Sequence, residues 1–234
     1  YSDSSRSFCS AQMKKVHLLI TAGPTRESLD PVRFISNYST GTLGYILAEE
    51  AKKEGYSVTL ISGPTHLKPP QGVKFIAINT ASEMYKEVKK HFSFCDCLIM
   101  AAAVCDFRVV KPARNKIKKD SSENLILRLV KNPDILYEMG RRKKDKILIG
   151  FSLETNNLIK HAQEKLKKKN LDLIIAQKLG RNPFGEGRIT PLIIYREGVL
   201  KKSAPCSKLE FSKRLLKEIN TLTFKKLSAK LSPK

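Results

Sequence analysis

Six short apolar runs separated by longer stretches of helical character set the strongest limit on what this chain can fold into. Val16–Thr21, Val58–Ile61, Val73–Ile78, Cys97–Ala101, Ile147–Phe151 and Leu173–Ala176 are rich in leucine and β-branched residues. Several are continuous rather than alternating, the pattern of strands covered on both faces. Leu43–Glu54, Ala81–Lys90, Pro133–Arg142 and Leu158–Lys169 fall between them and read as the covering helices. The rhythm predicts an α/β fold: a doubly wound, mostly parallel Rossmann-like sheet with helices on both faces. Thr80-Ala-Ser-Glu83 and Ser207-Lys-Leu-Glu210 have the form of capping boxes, the second before a last helix. Pro191–Tyr195 and Leu200–Ser203 flank Glu197-Gly198 and predict a C-terminal antiparallel hairpin. Between about 107 and 130 the chain is rich in Arg, Pro and Lys, and a break this long inside an α/β domain reads as a flap after a central strand.

These features place one domain over 13–223. Residues 1–12 are Ser-rich without an apolar core segment, so they read as a disordered leader or linker rather than a secretion signal. Met13 followed by Lys14-Lys15 reads as a natural start, or else the leader is linker from a longer polypeptide. Residues 224–234 are basic and lack apolar periodicity, which predicts a frayed tail. No apolar run reaches the roughly 18 residues of a membrane span.

Forty-four Lys and Arg against 22 Asp and Glu give a net charge of +22, which draws anions of every size. The basic runs Arg141–Lys144 and Lys167–Lys169 read more simply as solvated helix faces. With 7% aromatic residues, no Trp and no interleaving of aromatic with basic residues, a base-stacking surface for nucleic acid is not indicated. The five cysteines and four histidines are scattered, and Cys95-x-Cys97 is neither a redox nor a zinc spacing. Reduced thiols in the cytoplasm are the expectation, with no metal cage.

The first apolar run breaks into Ala22-Gly23-Pro24-Thr25-Arg26, continues as Asp30-Pro31-Val32-Arg33-Phe34-Ile35-Ser36-Asn37, and closes on Ser39-Thr40-Gly41-Thr42-Leu43-Gly44. A strand, a turn and glycines opening a helix suit oxyanion binding, since helix N-terminal N–H groups favour negative charge. Gly41 and Gly44 equally fit a tight strand-to-helix turn. Asn37 either caps that loop or offers donor and acceptor to a carboxylate. The small residues Ala101-Ala102-Ala103 precede Asp106 at a strand end, where open α/β sheets bind ligands. Asp106 either meets a ribose hydroxyl or a metal-bound water, or caps the next turn. Lys116-Ile117-Lys118-Lys119 lies in the flap, Val130-Lys131-Asn132-Pro133-Asp134-Ile135-Leu136 opens a helix, and Phe151 either stacks on a base or fills the core. Lys165 and Lys169 are one helical turn apart and share a face.

Taken together and in order, these motifs resemble the phosphopantothenoylcysteine synthetases of coenzyme A biosynthesis, in their bacterial, CTP-dependent form. The resemblance covers the chain from about Val16 to the last helix. It implies a homodimeric ligase that uses CTP and Mg2+ to convert the carboxylate of 4′-phosphopantothenate into an acyl-cytidylate, which cysteine then displaces. It implies catalytic roles for Asn37 on the acyl intermediate, for Lys116 in the first step and for Arg33 on the carboxylate or phosphate. It implies ligand contacts at Gly23, Gly41, Ala103, Asp106, Pro133, Asp134, Ile135, Leu136, Phe151, Lys165 and Lys169, with Asp106 the indirect magnesium contact. A phosphopantothenoylcysteine decarboxylase, fused or separate, is the implied partner. Thr40, Thr42, Cys105, Ser152-Leu153, Gln177 and Gly185–Arg188 depart from the family pattern. The rival readings are a basic nucleic-acid-binding protein and an NAD(P)-dependent oxidoreductase. The latter would need G-x-G-x-x-G after the first strand and an acidic residue after the second, and neither is present.

Overall fold

A computed structural model describes residues 15–119, 124–180 and 187–231, with side chains through residue 226 in the last stretch. The leader expected over 1–12 lies outside the described residues. Strand β1 (His17–Ala22) leads through the short strands β2 (Arg26–Ser28) and β3 (Phe34–Ser36) into helix α1 (Thr42–Lys53). Strands β4 (Ser57–Ser62) and β5 (Lys74–Ala77) follow, then helix α2 (Ala81–Phe92) and strand β6 (Cys97–Met100). Strands β7 (Phe107–Val109) and β8 (Leu129–Lys131) precede helix α3 (Ile135–Arg141), strand β9 (Ile147–Glu154) and helix α4 (Leu158–Lys168). Strands β10 (Leu173–Lys178), β11 (Leu192–Tyr195) and β12 (Leu200–Lys202) lead to the closing helix α5 (Lys208–Leu231).

The main sheet has the order β12-β11-β10-β9-β6-β1-β4-β5. Strands β5, β4, β1, β6, β9 and β10 run parallel, with Leu18 of β1 paired to Val58 on one side and Cys97 on the other. The predicted hairpin is present, but it extends the same sheet antiparallel from β10 rather than standing apart as an appendage. The six parallel strands are those expected from the apolar runs. Period-two geometry sends Leu18, Ile20 and Ala22 to one face, beneath Leu47, Ala48, Phe211 and Leu215 of α1 and α5. Leu19, Leu98, Leu148 and Ile174 go to the other face, against Met84, Val88, Met139 and Leu166 of α2, α3 and α4. Both faces are therefore covered.

Helix termini follow local chemistry. Thr80 Oγ1 accepts from Glu83 N at 3.2 Å while the Glu83 carboxylate accepts from the Thr80 and Asn79 amides. Ser207 and Glu210 make the same reciprocal pair at the start of α5. Helix α3 begins at Ile135 because the Asp134 carboxylate caps it, accepting from Tyr137 N at 3.1 Å; Pro133 thus precedes the cap instead of opening the first turn.

The C-terminal segment corrects the expectation of a frayed tail: α5 continues without a break past Thr223 to Leu231. Its anchor is long-range. Lys226 pairs with Asp172 at 3.1 Å, and the same buried carboxylate holds Lys143 at 2.8 Å and the Leu148 amide at 2.7 Å. Burial holds the Lys143 pKa below the usual lysine value, with the Asp172 contact opposing the shift. No helix among the described residues is long and apolar enough to cross a membrane.

Candidate active site

In a parallel sheet whose strand order reverses, the crevice lies at the carboxyl ends of the strands flanking the reversal. Here that point falls between β1 and β6, whose outgoing segments turn to opposite sides. The two segments are stitched together below the crevice. Ala103 N donates to Gly23 O at 3.0 Å, Thr25 N donates to Ala103 O at 3.2 Å, and Pro24 and Ala103 form an isolated parallel bridge. Cys105 N donates to Thr25 Oγ1 at 2.9 Å, continuing the seam. Gly41 sits at φ 78 as the N-cap of α1, a left-handed conformation that glycine adopts without steric cost. Gly44 lets α1 lie against β1, since a Cβ there would come within 2.6 Å of the Ala22 Cβ.

Two adjoining hollows of about 400 and 410 Å³ open above this floor. They share Ala102, Val104, Asp106, Phe151 and Lys165, so they form one cleft with Phe151 and Asp106 at its waist. The first is walled by Cys105, Lys131 and Asn132, by the turn Pro133–Leu136, and by Lys165 and Lys169. The second is walled by Asn37, by Ser39–Gly44 at the start of α1, by Ala101–Ala103, and by Ser152, Gln177 and Lys208.

Hydrogen bonds fix the functional groups. Asn37 Nδ2 donates to Ala103 O at 2.9 Å and lies 3.7 Å from Cys105 Sγ, which holds the amide at the edge of the second hollow. Asn132 donates from its backbone to Asp106 O and from its side chain to Cys105 O, both at 2.8 Å, and so ties the turn before α3 to the end of β6. Lys165 Nζ donates to Phe151 O at 2.7 Å. Burial lowers the pKa of Lys165, the neighbouring Lys169 charge lowers it further, and Glu154, Asp134 and Asp106 oppose the shift. Lys169 pairs with Asp134 at 2.8 Å. Burial raises the Cys105 pKa, so this thiol stays protonated. The cleft therefore offers cations and amide groups to an anion.

The structure brings together Asp106, Pro133, Asp134, Ile135, Leu136, Phe151, Lys165 and Lys169 around the first hollow, and Asn37, Gly41 and Ala103 around the second. Gly23 lies beneath the floor, in the stitch, and lines neither hollow. Arg33 and Lys116 also line neither. Arg33 is turned to Asp30 and to the Ile117 carbonyl, and Lys116 is exposed on the segment beyond β7. The flap is framed by the antiparallel pair β7–β8, which closes its base. Lys131 and Asn132, part of the Val130–Leu136 motif but not singled out there as ligand contacts, also line the cleft, as does Lys208. Lys208 was legible only as the first residue after a capping Ser, and its place beside the end of β10 follows from packing.

Among the described residues no three His, Cys, Asp or Glu side chains gather as a metal site. Magnesium in nucleotide sites is held largely by phosphate oxygens and one or two carboxylates, and the exposed Asp106 carboxylate at the waist fits that modest demand.

Comparison with known proteins gives a consistent picture. A coenzyme A biosynthesis bifunctional protein CoaBC from Borreliella burgdorferi is 45% identical over 207 residues, covering 88% of this chain and 52% of that protein. The crystal structure of the C-terminal domain of a CoaBC protein superposes with a TM-score of 0.78 at 33% identity, covering 90% of this chain and 96% of that one. A Cab2 variant in complex with phosphopantothenate-cysteine shares the fold, with a TM-score of 0.76 at 20% identity over 93% of this chain and 89% of that one. The chain spans about half the length of the curated relatives it matches. The domain described as the DNA/pantothenate metabolism flavoprotein C-terminal domain matches residues 13–222, taking in the whole sheet and both helical layers, and on that match the chain belongs to this family.

Proposed function

We propose that the cleft joins 4′-phosphopantothenate to cysteine in two steps, with CTP as the activating nucleotide. The observation that carries this reading is the gathering of Asp106, the Pro133–Leu136 turn, Phe151, Lys165 and Lys169 around one hollow that opens directly into another holding Asn37 and the start of α1. The first has the cations for a triphosphate and an aromatic ring for a base. The second has backbone donors and an amide for a carboxylate. In the first step the substrate carboxylate attacks the α-phosphorus, the bond to pyrophosphate breaks, and an acyl-cytidylate forms. In the second the cysteine amine attacks the acyl carbon and CMP leaves, with the amine's proton lost to solvent. Charge accumulates on phosphate oxygens in the first step and on the acyl oxygen in the second, where preorganised donors stabilise the transition state most. Lys165 and Lys169 would take the phosphates, Asn37 the acyl group and Lys116 the first step from the flap. Magnesium, when bound, supplies Lewis-acid neutralisation of the triphosphate, with Asp106 as its indirect protein contact.

Names of related proteins support the substrates: CoaBC proteins are bifunctional in coenzyme A biosynthesis, and the Cab2 structure contains phosphopantothenate-cysteine. The bifunctional relatives, about twice as long, also support a fused decarboxylase half as the partner. A homodimer fits the apolar side chains exposed on the two small hairpins, Val32 and Phe34 on one and Phe107 and Leu129 on the other. The cytoplasm is the compartment in which the cysteines stay as thiols.

The deciding experiment measures pyrophosphate release with Mg2+, 4′-phosphopantothenate and either CTP or ATP, with and without cysteine. CTP-dependent release together with cysteine-dependent CMP establishes the ligase and its nucleotide. Release with ATP alone reassigns the nucleotide, and no release with either overturns the reading.

A further inference from the structure

The loop that enters β3 carries a carboxylate committed wholly to its surroundings. The Asp30 side chain is fully buried and accepts five hydrogen bonds: from the Val32 and Arg33 amides at 2.8 Å each, from Arg33 Nε at 3.0 Å and Nη2 at 2.6 Å, and from the Ile117 amide at 3.1 Å. Arg33 Nη2 also donates to the Ile117 carbonyl at 2.6 Å. Both polar groups of one flap residue, Ile117, are thus gripped by a single ion pair 84 residues away along the chain. A second tie, Ala113 N to Leu29 O at 2.8 Å, holds the same strap four residues earlier.

The anchor is itself immobilised. Arg26 N donates to Asn79 O at 2.8 Å, and the buried Glu27 carboxylate accepts from the Ala81 amide at the start of α2. Arg26 also stacks on the Phe34 ring at 4.6 Å. The β2–β3 hairpin is therefore fastened to the body of the domain, and whatever Asp30 and Arg33 hold is fastened with it. Burial of the Asp30 carboxyl would raise its pKa, but the Arg33 bond and the three amides outweigh burial and keep it well below the usual carboxylate range. The latch stays charged throughout the working pH range.

From this geometry we infer that Asp30 and Arg33 form a latch for the lysine strap, gripping the Ile117 peptide so that Lys116 is presented in a fixed orientation. Asp30 is then a positioning residue for the activation step, and Arg33 acts through the strap rather than on substrate. The functional half of this inference rests on the proposed ligase and on Lys116 serving its first step; the latch itself does not.

Two measurements on the full chain separate these parts. Amide hydrogen exchange at Ile117 reads the latch directly, with Ile20 in the core as internal reference. Asp30→Asn should speed Ile117 exchange by about tenfold, the worth of one hydrogen bond to a charged acceptor, and leave Ile20 unchanged. The same variant should lower kcat for CTP-dependent pyrophosphate release by about tenfold while KM for CTP stays within about twofold, as when only transition-state positioning is lost. Arg33→Lys keeps the charge and the backbone bonds to Asp30 but loses the fork onto Ile117, and should fall between wild type and Asp30→Asn in both measurements. It carries the test should Asp30→Asn fail to fold. Unchanged exchange at Ile117 overturns the latch. Faster exchange with unaltered kcat overturns the positioning role. A raised KM for 4′-phosphopantothenate in Arg33→Lys, without faster exchange at Ile117, would make Arg33 a substrate ligand instead. Should wild type release no pyrophosphate, the ligase reading and the positioning role fail together, and Ile117 exchange alone decides whether the latch exists.

Discussion

Replacing Lys165 with methionine keeps the aliphatic stem in place and removes one ammonium from the wall of the cleft. That ammonium donates to the Phe151 carbonyl at 2.7 Å, which commits one of its three N–H bonds and leaves two for phosphate oxygens. Hydrogen bonds to charged groups contribute about 1.5–3 kcal/mol, so the variant should bind CTP roughly 10- to 150-fold more weakly. The pH dependence supplies a second, independent signature. Burial and then the Lys169 charge lower the Lys165 pKa in the free protein. Triphosphate binding favours the protonated form and raises the pKa again. Affinity should therefore be highest where Lys165 is already charged and fall as the pH rises through its depressed pKa, with proton uptake on binding along that limb. The methionine variant should lack the limb. Calorimetric titration with CTP in two buffers of unlike ionisation enthalpy, across about pH 6 to pH 10, reads affinity and proton uptake together. A loss of less than about threefold, or the same pH dependence in both proteins, would refute the reasoning.

Four further outcomes follow from the packing. Gly44→Ala should destabilise the domain by about 1–3 kcal/mol in urea unfolding, since the new methyl would sit 2.6 Å from the Ala22 Cβ. Asp172→Asn leaves the Lys143 ammonium buried without its counter-charge and should cost about 3–5 kcal/mol, read as a lower midpoint in the same assay. Lys226→Ala, which breaks only a partly exposed arm of that cluster, should cost less than about 1 kcal/mol. Cys95, Cys97, Cys105 and Cys206 are all buried, and burial pushes the Cys95 thiol up to about 12. These four should resist a chromogenic thiol reagent at neutral pH until the chain is unfolded, and rapid labelling of Cys105 in the native protein would contradict the geometry at Asn37.

What could be read in advance divides along a physical line. The parallel strands were legible because burial on both faces demands continuous apolar runs, as in Leu18–Leu19–Ile20 and Leu173–Ile174–Ile175. The capping residues Thr80 and Ser207 were legible because their chemistry acts within one helical turn. The glycines at 41 and 44 marked the strand-to-helix turn, where a positive φ at Gly41 and the close packing of Gly44 on Ala22 both call for glycine. Strands β2, β3, β7 and β8 were not legible: each has three residues, and pairing partners rather than intrinsic pattern create them. The continuation of α5 was hidden for the same reason, since it depends on Lys226 meeting a carboxylate 54 residues earlier. The substrate role given to Arg33 rests on the resemblance, while its tie to the Ile117 carbonyl, 84 residues away, is written nowhere in the sequence around it. Lys208 reaches the cleft through the arrangement of strand ends, which no short motif encodes.

The stitch between Gly23, Thr25 and Ala103 bears on how a ligand is received. Because the segments leaving β1 and β6 are joined by backbone bonds below the crevice, they cannot part like jaws, and a ligand lies across them without wedging between them. Little conformational entropy is left to remove at this floor when binding occurs, so the groups that rest on it, Asn37 and the start of α1, meet a ligand already in place. The strap tied through Ile117 to the β2–β3 hairpin is held as well, so the cost of ordering on binding falls mainly on the ligand.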